Sequence, residues 1–392
     1  MDALNPDTLI AAIRTVLPRQ QGNIALHEPW FIGKEWEYVK DCLDTGWVSS
    51  NGSYVDRFEK NLADYTGARH AIAVVNGTAA LHICLKLAGV QAGDEVVIPT
   101  LTFIATANAV SYCGATSHFS DSAATTLGLD PTKLSDYLSD IAELRGGVCV
   151  NRKTGATIRA VVPMHTFGHP MEIEGLLEVA ARYRLTVVED AAESLGSFYK
   201  NRHTGNFGKV SALSFNGNKV ITTGGGGAVL TNDDALAKRA KHLTTTARLP
   251  HQWSFLHDEV GYNYRLPNIN AALGCAQLEQ LPEFVRRKRE LAAAYRNAFV
   301  RTPGVVFFTE PENAHSNYWL NALLLDATSA GARDTLLDVM NAQGIMARPV
   351  WTLMHRLPMY ESCPRMPLDT AEDLERRLIN IPSSPFLPAG RQ

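Results

Sequence analysis

From Ala71 onward, short and nearly continuous apolar runs alternate with helix-patterned segments, and that rhythm constrains the fold of this 392-residue chain more than any other feature. The runs are AIAVV (71–75), DEVVIP (94–99), IRAVVPM (158–164), LTVVE (185–189), SALSF (211–215) and GGAVLT (226–231). Between them, TAALHICLKLAG, FIATANAVSYCG and MEIEGLLEVAARYR carry helical spacing. Strands that are apolar throughout need cover on both sides. The alternation therefore predicts an α/β fold: a mainly parallel central sheet with helices on both faces.

Outside that block the pattern differs. Leu9, Ile13 and Leu17 repeat at helical spacing and Pro18 stops them, so residues 1–25 read as an N-terminal helical extension. Further helices are expected at about 35–43 and 55–67. Residues 26–255 then form the large α/β domain. After about residue 256 a long helical stretch, Asn268 to Phe299, leads to strand candidates at 304–308 and 321–326, which predicts a smaller C-terminal α+β domain over 256–392. The formal charge of −3 supplies no basic field for nucleic acid or anionic lipid. No apolar run approaches the ~18 residues of a membrane span. Six scattered cysteines without a CxxC pair read as reduced thiols, and metal is not expected. With no signal-peptide pattern at the N-terminus, the expected location is the cytoplasm. The run Arg286-Arg287-Lys288-Arg289 reads as a solvated helix face.

Three constellations carry chemistry. Asn76-Gly77-Thr78 joins a strand to a helix, and such a turn aims backbone N–H groups at a phosphate; a helix cap by Thr78 fits the same residues. Asp190 and Glu193 sit at the carboxyl end of a buried strand, where open α/β sheets place their ligand crevice; an N-cap with its capping-box glutamate has the same spacing. Lys219, in SFNGNK after a strand, precedes Gly224–Gly227 and is either free to reach into a crevice or solvated in a glycine-rich turn. Together they match one chemistry, that of an aldehyde cofactor. It needs a lysine to bond it, an acid to keep a ring nitrogen protonated, a phosphate cup and a flat stacking group. Phe103, in PTLTF beyond another strand end, supplies the last.

NGTAAL, PTLTFIATANA, VVEDAAESLGS, SFNGNK…GGGGAVLTN and GYNYRLPNINAALG, in that order, resemble the DegT/DnrJ/EryC1/StrS family over roughly residues 25–390. Members are fold-type I, pyridoxal-phosphate-dependent sugar aminotransferases. The wording SFNGNKVITTGGGG, with MHTFGHP before it, is most similar to the LegC-type branch. The resemblance implies Lys219 as the Schiff-base lysine and general acid/base and Asp190 as partner of the pyridinium nitrogen. It further implies Phe103 stacked on the ring, with Gly77, Thr78 and Ser214 at the phosphate. Asn263 would reach the phosphate of the neighbouring subunit, so that active sites are shared across a homodimer. Glu193 stands where many relatives carry Gln or His, and Gly225 where many carry Glu. The implied reaction moves an amino group from L-glutamate to a nucleotide-linked 4-keto-6-deoxy sugar, expected to be UDP-4-keto-6-deoxy-N-acetylhexosamine, for bacillosamine- or legionaminic-acid-type surface sugars. A 3-keto sugar, or one linked to GDP or dTDP, is the alternative acceptor. A dehydratase on this fold would carry His for Lys219, and a non-catalytic sensor would lack Lys219 or Asp190. Candidates for substrate contact are Trp47, Ser49, Ser50 and Asn51 in one loop, then His165, His315, Asn317, Tyr318, Trp319, Arg348 and His355. Packed or capping roles fit these residues as well.

Overall fold

The computed structural model describes residues 5–17 and 22–387; Pro18 lies outside them. The first helix, α1 (Pro6–Val16), is capped by the Asn5 side chain. It is followed by α2 (Glu35–Thr45) and α3 (Ser53–Thr66), each closed by a glycine in the left-handed region, Gly46 and Gly67. The α/β block runs β1 (His70–Val74), α4 (Gly77–Leu87), β2 (Glu95–Pro99), α5 (Ile104–Tyr112), β3 (Thr116–Ser120), α6 (Pro131–Ile141), β4 (Ile158–Val161), α7 (Ile173–Tyr183), β5 (Thr186–Asp190), β6 (Val210–Ser214), β7 (Gly227–Thr231) and α8 (Asp234–Thr244). The 32-residue α9 (Asn268–Phe299) leads into β8 (Val305–Phe307), β9 (Asn321–Leu325), α10 (Arg333–Ala342), β10 (Arg348–Pro349), α11 (Asp369–Arg377) and β11 (Leu378–Ile381).

The seven strands of the large sheet lie in the order β1-β7-β6-β5-β4-β2-β3. All neighbours are parallel from β6 to β3, and β7 is antiparallel to both β1 and β6. Alternate residues of one strand enter different cores. Ala71 and Ala73 pack with α3 and α9, whereas Ile72 and Val74 pack with α4 and α5. That two-sided burial is why the strands read as unbroken apolar runs. β3 went unread in the sequence because TSHFS is polar. Its His118 is buried against Glu95 at 2.8 Å, so the strand carries a satisfied hydrogen bond where its neighbour β2 carries Val97.

The second sheet, β8-β9-β11-β10, is antiparallel. Leu9, Ile10 and Ile13 of α1 share its core with Leu291, Tyr295 and Phe299 of α9, so the N-terminal helix is built into this layer. The 286–289 run is not a solvated face. Lys288 is fully buried, and Arg289 is partly buried in a pair with Glu310. On α9 position 288 falls four residues after Phe284 and three before Leu291, on the inward stripe. All six cysteines are free thiols. No helix among the described residues is long and apolar enough to cross a membrane.

Candidate active site

The carboxyl ends of β2, β4 and β5, together with the turns after β1 and β6, lie along one edge of the large sheet. There Asp190 is 3% exposed. The Thr106 hydroxyl donates to its Oδ2 at 2.7 Å and the Ala192 N–H to its Oδ1 at 3.2 Å. Burial raises its carboxyl above the usual range, against those two donors and the nearby Lys219 and His165. No helix follows Asp190: residues 191–197 are turns, so the helix-cap reading falls.

Glu193 is also buried and does not act as a capping-box glutamate. Its Oε2 accepts the Phe167 N–H at 2.9 Å and its Oε1 lies 3.3 Å from Lys219 Nζ. Desolvation pushes its carboxyl up to about 7, although Lys219 and the Phe167 N–H oppose the rise. Phe167 holds φ +56°, unusual for a bulky residue, and the next residue, Gly168, holds +92°. A Cβ on Gly168 would meet Asn317 Oδ1 at 1.9 Å, so only glycine fits. Asn317 in turn donates to the carbonyls of Glu193 and Leu195, both at 2.9 Å.

Lys219 is not a solvated surface residue, since its side chain is 14% exposed. Its Nζ lies 3.8 Å from the centroid of the Trp319 ring, whose indole N–H donates to the Asn218 carbonyl at 2.7 Å. The glycines after it have separate duties. Gly224 holds φ +78°, and a Cβ on Gly227 would come within 2.6 Å of the Asn76 carbonyl, so β7 can run against the 76–77 turn. There the cap of α4 is Asn76, whose side chain accepts the Ala79 N–H at 2.8 Å. Thr78 is therefore not the cap. A Cβ on Gly77 would stand 2.8 Å from Ser214 Cβ, which brings Gly77 and Ser214 together at a helix N-terminus, a place suited to an anion. Phe103, the N-cap of α5, is 48% exposed with its ring 6.3 Å from that of Trp351.

A buried acid, a largely buried amine, a Gly77–Ser214 contact at a helix N-terminus and a half-exposed aromatic ring fit a planar, phosphorylated aldehyde. Lys219, Asp190, Ser214, Gly77 and Phe103 are the residues able to hold it.

The remaining candidates are scattered. His165 is fully buried, with Nε2 3.1 Å from Glu189 Oε2 and Nδ1 accepting the Met171 N–H; its own N–H donates to the Asp190 carbonyl. The 47–51 loop is fastened to α9 by Asn268, which bonds the carbonyls of Trp47 and Ser49 and accepts the N–H groups of Tyr54 and Val55. The cap of α3 thus comes from a distant helix, while Asn51 accepts from Arg265 at 2.8 Å. Trp47, exposed at the loop, remains open to solvent. His315 is exposed on a two-residue strand beside Phe198. Tyr318 is buried, with its hydroxyl accepting the Glu310 N–H. Arg348 is exposed at the edge of the small sheet. His355 bonds Thr100 Oγ1 at 2.8 Å, close to the Phe103 turn. Asn263 is exposed on the chain segment after α8.

Sequence reasoning missed three groups. Thr106 stands one turn beyond Phe103, a spacing that could have flagged it. His27 gave no local signal, and Lys288 was read within a solvated run although its spacing from Phe284 puts it on the inward stripe. His27 is held well below its ordinary pKa by burial, then by the positive charges of Lys288 and Lys219.

The DegT/DnrJ/EryC1/StrS aminotransferase family model matches residues 31–391. The chain is 40% identical to a GDP-perosamine synthase of Escherichia coli over 93% of its length and 94% of that protein. It is 37% identical to a GDP-perosamine synthase of Caulobacter vibrioides, over 94% of each. The solved structure of Helicobacter pylori PseC, an aminotransferase involved in the biosynthesis of pseudoaminic acid, superposes with a TM-score of 0.83 at 25% identity, covering 92% of this chain and 93% of that one. By the match along its length and by its fold, the chain is a pyridoxal-phosphate-dependent sugar aminotransferase and belongs to the DegT/DnrJ/EryC1/StrS family.

Proposed function

We propose that this enzyme moves an amino group from L-glutamate to C4 of a GDP-linked 4-keto-6-deoxyhexose. The observation that carries this reading is the similarity, at 35–40% identity along more than nine-tenths of the chain, to three proteins named GDP-perosamine synthase. Perosamine is a 4-amino-4,6-dideoxyhexose, so a 4-keto-6-deoxy acceptor follows from the product's chemistry. The wording around Lys219 favoured a UDP-linked N-acetylhexosamine instead. Similarity over the whole chain outweighs one motif, and the uridine sugar becomes the second reading.

Bound pyridoxal phosphate supplies an electron-withdrawing ring that acidifies the carbon attached to the reacting amine. Asp190, desolvated and oriented by Thr106 and Ala192, keeps the ring nitrogen protonated. Lys219 Nζ removes the α-proton of glutamate and, on the return, supplies a proton at sugar C4; one mobile amine serves both directions. Gly77, Thr78 and Ser214 would hold the phosphate, and Phe103 would stack on the ring. Asn263 of the partner subunit completes the phosphate site in a homodimer. Support for that partner comes from Trp253, Phe255 and Val260, which are 77%, 73% and 82% exposed on the same arm of chain. Apolar groups this open call for cover.

The test is an absorbance scan of the cofactor-loaded protein. Glutamate is expected to bleach the visible band and GDP-4-keto-6-deoxymannose to restore it. Restoration by UDP-4-keto-6-deoxy-N-acetylglucosamine alone would overturn the guanosine assignment.

A further inference from the structure

Lys288 is the anomaly of this molecule. It sits in an arginine-rich run, yet it is wholly buried, and burial lowers its amine well below the ordinary lysine pKa. Its flanking arginines find carboxylates: Arg286 and Arg287 pair with Glu283, and Arg289 with Glu310. Lys288 Nζ instead donates to two backbone carbonyls, those of Trp319 at 3.1 Å and Ser383. Taking an amine out of water to bond two carbonyls is costly, so the position these carbonyls take deserves a reason.

Trp319 supplies one. Its backbone is tied on both sides, by Lys288 at the carbonyl and by Asn317 Oδ1 at the N–H, 2.8 Å. Asn317 is itself bonded to the Glu193 carbonyl. The indole N–H is spent on the Asn218 carbonyl, next to the reactive lysine, which leaves the ring face directed at Lys219 Nζ, 3.8 Å away. An aromatic face at that distance attracts a protonated amine.

We propose that Trp319, locked by buried Lys288, is a positioning residue: its ring is the platform on which the Lys219 amine rests whenever that amine is not bonded to the cofactor. The platform keeps the amine within reach of both carbons it serves. Ser383 extends the lock, because its N–H donates to the Leu26 carbonyl at 2.8 Å and so joins the tail of the chain to the segment before His27. This inference rests on Lys219 being the reactive amine.

The experiment uses full-length protein with five variants: Trp319→Leu, Trp319→Phe, Lys288→Met, the double variant Lys288→Met/Trp319→Leu, and Lys219→Ala as control. Two rates are read, bleaching of the visible band by glutamate in a single turnover and capture of pyridoxal phosphate by the cofactor-free protein. Trp319→Leu is expected to slow bleaching by about tenfold, as the loss of one cation–π contact would, and to slow capture several-fold, with the KM for glutamate within twofold. Trp319→Phe retains a ring and should recover most of the rate. Lys288→Met should slow both steps, and the double variant should be no slower than Trp319→Leu alone, since both act through one ring. Wild-type rates in Trp319→Leu would overturn the platform. Multiplied losses in the double variant would overturn the lock. If Lys288→Met does not fold, the Leu and Phe variants still decide the platform. A visible band in Lys219→Ala would instead remove the underlying assignment, an outcome distinct from either.

Discussion

Replacing Glu193 by Gln separates the charge of this buried carboxyl from its shape. In the cofactor-free protein its pKa is about 7 against an ordinary value of 4.5, with desolvation as the largest cause. Between those two pH values the unfolded chain carries an ionised Glu193 while the folded protein keeps it protonated, so the unfolded state binds fewer protons. Stability is therefore fully present below pH 4.5 and is lost as the pH rises through 7. The difference of about 2.5 units corresponds to about 3 kcal/mol. Unfolding entropy of about 2.1 cal/mol/K per residue across the chain converts this to a melting shift of about 4 °C. Gln preserves the acceptor for the Phe167 N–H and has no proton to lose. Melting curves of cofactor-free wild type and Glu193→Gln, recorded from pH 4.5 to 8, should converge at the acid end and diverge by that amount at pH 8, with the variant higher. Parallel curves would refute the buried, reluctant acid; a variant that melts lower at pH 8 than at pH 5 relative to wild type would reverse the sign of the argument.

Lys219→Ala should abolish the visible band and turnover while leaving the melting temperature within a few degrees, checked by absorbance and by calorimetry. Gly77→Ala puts a methyl 2.8 Å from Ser214 Cβ. It should weaken pyridoxal phosphate binding at least tenfold by equilibrium titration, and cost about 1–3 kcal/mol of stability. Asn263→Ala should lower cofactor retention on dilution; retention equal to wild type counts against its reach across a dimer. Gly168→Ala, which must displace Asn317 and hold an alanine at φ +92°, should reduce soluble yield or melting temperature sharply, by more than Gly77→Ala.

The sheet was legible wherever its strands were apolar on both faces, because burial on two sides leaves a continuous signature. It was illegible at β3, whose His118 satisfies Glu95 inside the protein, and at β11, where four residues follow a helix without a break. At the site, the placement of Asp190 at a strand end and of Lys219 beyond one was readable from the sequence. The partners of Asp190, Lys219 and Glu193 were not. Thr106, Trp319 and Asn317 lie 84, 100 and 124 residues from the groups they bond or face, and nothing local announces contacts closed over such distances. Lys288 is a different kind of miss. Its place on the inward stripe of α9 follows from counting residues from Phe284, and the run of neighbouring charges concealed it.

The length of α9 has a mechanical consequence. Thirty-two residues at 1.5 Å each make a rod of about 48 Å. Its first turn grips the 47–51 loop through Asn268, its middle packs Leu281 and Phe284 under the large sheet, and its end carries Tyr295 and Phe299 into the small one. A helix embedded in both layers ties them together along its whole length, and its one break in the hydrogen-bond ladder falls midway, where Pro282 has no N–H to donate. Hydrogen exchange along α9 should accordingly be slow on both sides of Pro282 and fastest in the turn that the proline interrupts, and a nick in the 47–51 loop should disturb sugar affinity more than it disturbs the melting of either sheet.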